Sequence, residues 1–293
     1  MGWIRKEVEV VSLLTRLYRA SRLGKRFYAE YRHLAKNVAF HPEMEPRLDV
    51  YSPATGTGHP VCLFVHGGGW KQLRKEFFAA VAMVLVPEDM VVVIPDYTLY
   101  PDAGYERMTY QVAAALSWTL ENIAEYGGDP RRVVISGHSA GSHLMALSVM
   151  DPRFLSAYGH QWTEVSGMLG VSGIYNIQAW YEFDQERGQS IVPELSEIMG
   201  GPAGFDKASP ISYVRSDLPP VLLIHGDQDA IVPWNSSAEF HAALRAAGAN
   251  GELQVYVGAG HDDILLEATE EERAPIVVDM VRFVRDARLL NRT

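Results

Sequence analysis

Two hydrophobic patterns take turns along this chain. Short apolar runs, such as Pro60–Val65, Arg132–Ser136 and Val221–Ile224, stand between longer stretches whose apolar residues recur at helical spacing. An uninterrupted short run suits a strand covered on both faces, and a 3.6-residue period suits a helix with one buried face. The pattern predicts strands near 47–52, 60–66, 90–95, 132–136, 166–172, 220–225 and 253–257. It predicts helices near 75–86, 106–126, 140–150, 235–247 and 270–288. Alternation of this kind implies the α/β class, with a mostly parallel sheet and helices on both of its faces.

Two segments fall outside the alternation. Residues 174–205 are rich in aromatic, glycine and acidic residues and read as an insertion between strands, over a pocket. In the first 36 residues Val10, Leu13, Leu14, Leu17, Phe27, Tyr31 and Leu34 recur at helical spacing, with a break expected at Gly24. Nine Lys and Arg against three Glu give this stretch about +6, which leaves about −16 for the rest of a chain whose net charge is −10. The expected division is an N-terminal helical segment over 1–45 and a catalytic domain over 46–293.

Composition narrows the function. A chain of 293 residues with 47% apolar residues can bury one large core. Its acidic balance argues against a nucleic-acid partner. The single cysteine, Cys62, falls in a predicted buried strand and allows no intrachain disulfide, which fits a cytoplasmic protein. Charges at Arg5, Lys6, Glu7 and Glu9 interrupt any leader-like apolar core, and no stretch approaches the roughly 20 apolar residues of a membrane span.

The candidate chemistry sits at strand ends. Gly137-His138-Ser139-Ala140-Gly141 lies between the run Arg132–Ser136 and the helical stretch from Ala140. A Gly-x-Ser-x-Gly in that context is a nucleophile elbow, a sharp turn that exposes the serine hydroxyl. Upstream, the run Pro60–Val65 ends in His66-Gly67-Gly68-Gly69-Trp70. Bare glycine amides can approach a reacting carbonyl closely, so Gly68 and Gly69, with the amide of Ala140, are the expected oxyanion hole. Downstream, Val221–Ile224 closes in His225-Gly226-Asp227-Gln228-Asp229, and Leu253–Val257 runs into Gly258-Ala259-Gly260-His261. An acid after one strand and a histidine after the next can meet Ser139 along one sheet edge. The chain order Ser139, Asp229, His261 is that of an α/β-hydrolase.

With these motifs the chain resembles HGGG-type carboxylesterases of the α/β-hydrolase superfamily, related to the hormone-sensitive lipase group. It is more similar to the smaller HGGGW esterases of feruloyl-esterase-like, arylformamidase-like and prenylcysteine-methylesterase-like kind. The similarity runs from about Arg47 and includes Pro95-Asp96-Tyr97, Gly127-Gly128-Asp129-Pro130 and Ala208-Ser209-Pro210. It implies Ser139 as nucleophile, and it places the acid fifth in His-Gly-x-x-Asp, at Asp229 rather than Asp227. Ser142 stands where many relatives have glycine and is expected to narrow the pocket floor. Relatives often build caps from N-terminal helices, so a cap is preferred here over a basic helix lying on an anionic membrane surface.

The expected activity is hydrolysis of small to medium acyl or aryl esters through an acyl-enzyme, with a small-molecule ester as partner and no cofactor. Trp70, Tyr97 and His138 are expected to contact substrate. His66 is expected to brace its loop, His143 to pack, and Asp262 and Asp263 to sit on a solvated loop. No ligand-spaced His, Cys or Glu pair points to a metal. An amidase or formamidase would use the same triad; a prolyl-oligopeptidase-type peptidase would need a propeller domain. A non-catalytic receptor typically loses a triad member, and all three are present.

Overall fold

The computed structural model describes residues 22–186, 190, 192–263 and 275–290. Eight strands form one sheet in the order β1-β2-β4-β3-β5-β6-β7-β8. They are β1 Leu34–Ala39, β2 Arg47–Tyr51, β3 His59–Val65, β4 Val91–Pro95, β5 Gly128–His138, β6 Gly167–Val171, β7 Val221–Gly226 and β8 Gly251–Tyr256. β1 pairs with β2, and β2 with β4, in antiparallel fashion, and every other pairing is parallel.

Side-chain alternation explains why the central runs are apolar throughout. On β3, Val61, Leu63 and Val65 enter one core, together with residues of helices α3 (Tyr105–Asn122) and α4 (Ala140–Met150). Cys62 and Phe64 enter the other, with α2 (Ala79–Leu85) and the helix Pro275–Leu290. A strand covered on both faces has no polar side to spare. Each fully buried Val, Leu or Phe side chain contributes about 1.5–3 kcal/mol. Burial also pushes the Cys62 thiol up to about 12, so it stays protonated.

The N-terminal part differs from its expectation. Residues 22–30 form a helix, α1, that runs through Gly24 without a break, its backbone close to that of Ala80. Tyr31 follows this helix, and Leu34 begins β1. Phe27 stacks on Tyr31 at 4.7 Å and on Tyr51 at 5.9 Å between ring centres. Because β1 is hydrogen-bonded to β2, a boundary at 45/46 would cut the sheet. Val10, Leu13, Leu14 and Leu17 lie outside the described residues. Among the described residues no helix is long and apolar enough to cross a membrane.

The predicted helix over 75–86 is a 3₁₀ turn, Lys75–Phe78, followed by α2 and a second 3₁₀ turn, Val86–Glu88. Lys75 is responsible for the irregular start. Its buried ammonium lies 3.3 Å from Asp49 and 2.9 Å from both Glu76 and Asn37 Oδ1, while its amide donates to Asp96 at 2.9 Å. The turn is thus tied to β2 and to the end of β4. The parallel strands β3, β5, β7 and β8 all release their loops at one edge, where the functional residues collect.

Candidate active site

β5 ends at His138, α4 begins at Ala140, and Ser139 between them turns the chain at φ 54° and ψ −124°. A positive φ costs a serine about 1–3 kcal/mol and persists only where its surroundings enforce it. Here the surroundings are backbone. A Cβ on Gly137 would stand 2.6 Å from the Gly141 carbonyl carbon, and one on Gly141 would stand 2.2 Å from the Val65 carbonyl oxygen. The turn puts Ser139 on the wall of a cavity of about 380 Å³.

Ser142 supports this turn from behind. Its buried hydroxyl donates to Gly137 O at 2.5 Å and accepts from Val171 N at 3.0 Å. It is absent from the cavity wall, so it does not narrow the pocket floor; it pins the elbow to β6. Ser142→Ala removes the hydroxyl's bonds to Gly137 O and Val171 N and should cost about 0.5–1.5 kcal/mol, read as a lower urea midpoint.

The loop after β3 closes over the elbow. Gly68 has φ 119°, and a Cβ there would lie 2.0 Å from Gln72 O. Its carbonyl accepts from the amides of Lys71 at 3.2 Å and Gln72 at 3.1 Å, which curls the loop and leaves the glycine amides free. Among the described residues the amides of Gly68, Gly69 and Ala140 have no hydrogen-bond partner. The Ala140 amide is unpaired because it begins a helix. His66 braces the loop, donating from Nδ1 to Gly67 O at 2.8 Å.

Asp229 and His261, the expected acid and base, stand on the loops after β7 and β8. Asp229 Oδ2 accepts from His261 Nδ1 at 2.7 Å, and Oδ1 accepts from the amides of Ile231 at 2.9 Å and Val232 at 2.8 Å. His225, buried below, brings Nε2 within 3.2 Å of Oδ2. Burial alone would raise the Asp229 carboxyl, but the bonds from His225 and His261 hold it well below the usual carboxylate range. Asp227 does not touch His261; it accepts from Gly258 N at 2.7 Å and shapes a turn. His261 and Ser139 line the same cavity, though no hydrogen bond joins them. Such contacts often form only around substrate.

Three more histidines are buried near this edge, and burial lowers each one: His66 to about 4, His143 to about 4 and His138 to about 3. The unfolded chain protonates them near 6.5, so between about pH 6.5 and 4 it binds more protons than the folded chain. Their contribution is complete above pH 6.5 and is lost as pH falls through that window, by about 1.4 kcal/mol per pH unit and group. His160 acts in the opposite sense: its bonds to Glu164 and Glu121 overcome burial and raise it. Three against one, stability from urea melts should fall between pH 7 and pH 5; an unchanged or rising midpoint would contradict this.

Residues 48–244 match the BD-FAE family. The chain belongs to that family. Isoprenylcysteine alpha-carbonyl methylesterase of Arabidopsis thaliana is 31% identical over 249 residues, which cover 80% of this chain and 58% of the relative. Esterase LipQ of Mycobacterium tuberculosis is 33% identical over 245 residues, again 80% of this chain and 58% of the relative. The chain therefore spans under two thirds of these curated relatives. Among solved structures, a truncated carbohydrate esterase from gut microbiota superposes with a TM-score of 0.72 at 20% identity, over 88% of this chain and 97% of that one. Thermogutta terrifontis esterase 2 with propionate bound gives 0.69 at 23% identity, over 88% and 96%. The fold is the α/β-hydrolase fold expected from the motif order.

Within this BD-FAE chain the expected substrate contacts divide. Trp70 and His138 line the cavity. Trp70 is fixed there by its indole N–H, which donates to His143 Nδ1 at 3.2 Å, while His143 Nε2 donates to Ala208 O at 2.7 Å. His143 thus orients a wall residue. Tyr97 is not on the wall. It stacks on His66 at 4.4 Å and donates to His66 O at 3.1 Å, behind the glycine loop. None of the described residues before 46 reaches the cavity either, so they do not roof it. The insertion does, through Ile174, Trp180 and Val192. His225 bonds to Asp229 although the sequence assigns it no role; the signal that could have found it is its place four residues before Asp229.

Among the described residues, ligand atoms of His138, His261 and Asp262 lie within 4.8 Å of one another, the one grouping with metal-like spacing. Two of its ring nitrogens are already engaged: His261 Nδ1 with Asp229, and His138 Nε2 with His261 O at 3.1 Å.

Proposed function

We propose that this protein is a serine carboxylesterase acting on small to medium acyl or aryl esters. The observation that carries the reading is the His261–Asp229 bond of 2.7 Å on a cavity shared with Ser139 at a strained elbow. His261 takes the Ser139 proton as the hydroxyl attacks the ester carbonyl. The oxyanion lies against the amides of Gly68, Gly69 and Ala140. His261, its charge balanced by Asp229, then protonates the leaving alcohol, and water releases the acyl group by the same steps. The segment 174–205 acts as the cap, and its Trp180 and Val192 close a cavity of about 380 Å³, which suits a short acyl chain better than a long one.

The names of the relatives, esterases in each case, support the reaction class. Hydrolysis of p-nitrophenyl esters from acetate to palmitate, with Ser139→Ala alongside, tests it. Serine-dependent turnover that peaks at short chains is the expected outcome. Maximal turnover of palmitate would overturn the size assignment, and cleavage of none would overturn the reaction.

A further inference from the structure

We propose that Asp262 makes this pocket selective for esters that carry a positively charged amine close to the scissile carbonyl, such as α-amino-acid esters. This rests on the esterase reading above. Asp262 lies on the cavity wall directly after His261, and one of its carboxylate oxygens is within 4.8 Å of a ring nitrogen of His261. An amine on the carbon next to the reacting carbonyl would lie in the chamber that Ser139, His261 and Asp262 line together. The other charged groups of the wall are accounted for. Lys71 is neutralised by Glu194 at 2.7 Å, His138 is kept uncharged by burial, and His261 is bonded to the ionised Asp229. Asp262 has neither a hydrogen bond nor an ion pair among the described residues. Among the described residues Asp262 is therefore the one carboxylate facing a largely apolar chamber, whose other walls include Ile174, Trp180, Val192 and Ile231, while Asp229 stands buried behind His261.

Such a site is short of one cation. Burial raises the Asp262 carboxyl, His261 opposes this and the charges of Asp229 and Asp263 add to it, so a bound ammonium would favour the ionised carboxylate. The net charge of −10 also draws cations toward the molecule. A carboxylate beside the base stabilises the imidazolium for every substrate, so a general loss of rate cannot distinguish the two roles. A matched pair of substrates can.

The test compares leucine methyl ester with methyl 4-methylpentanoate, the same ester without the amine, at a pH where the amine is protonated. For the wild-type protein the ratio of kcat/KM should favour the amino ester, and Asp262→Asn should reduce that ratio about tenfold or more. Asp262→Ser serves as a second variant, and both are checked for an unchanged thermal midpoint. A ratio that both variants leave unaltered overturns the role of Asp262 while leaving the esterase intact. Failure of the wild type to cleave either ester overturns both.

Discussion

Replacing Ser139 by alanine should lower kcat on p-nitrophenyl esters by about 10³-fold or more. In the proposed mechanism nucleophile, base and acid act as a unit. Without the hydroxyl, His261 has no proton to take, and the amides of Gly68, Gly69 and Ala140 can only polarise a carbonyl that bulk water must attack. Binding should survive, because the walls set by Trp70 and Trp180 do not depend on the hydroxyl. Alanine retains a Cβ at φ 54°, so backbone strain is conserved and the thermal midpoint should hardly move. A variant that turned over within tenfold of wild type would mean that another group attacks the ester.

Asp229→Asn should cost about 10⁴-fold in kcat, the scale of a base locked in the wrong tautomer. The surroundings dictate how an asparagine would sit. The Oδ1 position accepts two backbone amides, from Ile231 and Val232, and cannot hold an NH₂ group. The amide nitrogen is therefore forced to the Oδ2 position, where it donates toward His261 Nδ1. His261 must then carry its proton on Nε2, the nitrogen that should receive the serine proton. His225, which brings Nε2 within 3.2 Å of the same position, would also meet a donor. Single-turnover acylation rates read the effect directly. A drop smaller than tenfold would mean that Asp229 does not set the tautomer.

The site was legible in the sequence to the extent that it lies at the ends of uninterrupted apolar runs. The β3, β5 and β7 runs are covered on both faces, so they stand out, and the loop residues that follow them need only short stretches of chain to meet. What escaped depends on contacts between distant segments. β1 has the sequence LAKNVA with mostly half-buried or exposed positions and a break in register between Ala35 and Val38, so no periodicity marks it. Its Asn37 takes φ 55° and bonds to Asp49 and Lys75, partners far along the chain. Gly24 stays inside a helix that lies beside the Ala80 backbone, a contact invisible in a linear pattern. Tyr97 lies at the end of a strand like a site residue, yet the ring of His66 occupies it.

The division of the pocket between two sources has an evolutionary consequence. The reacting groups hang from strand ends, where Gly137 and Gly141 tolerate no side chain, so that part of the molecule cannot vary without unmaking the turn. Part of the wall, Ile174, Trp180 and Val192, belongs to the segment between β6 and β7, where the Trp180 indole donates to Ile231 O at 3.1 Å and packs edge-on against Trp70. On the proposed reading, substitutions there change which acyl group fits and leave Ser139, His261 and Asp229 untouched. A lineage built this way can exchange one diet of esters for another in small steps, keeping its chemistry while its appetite drifts.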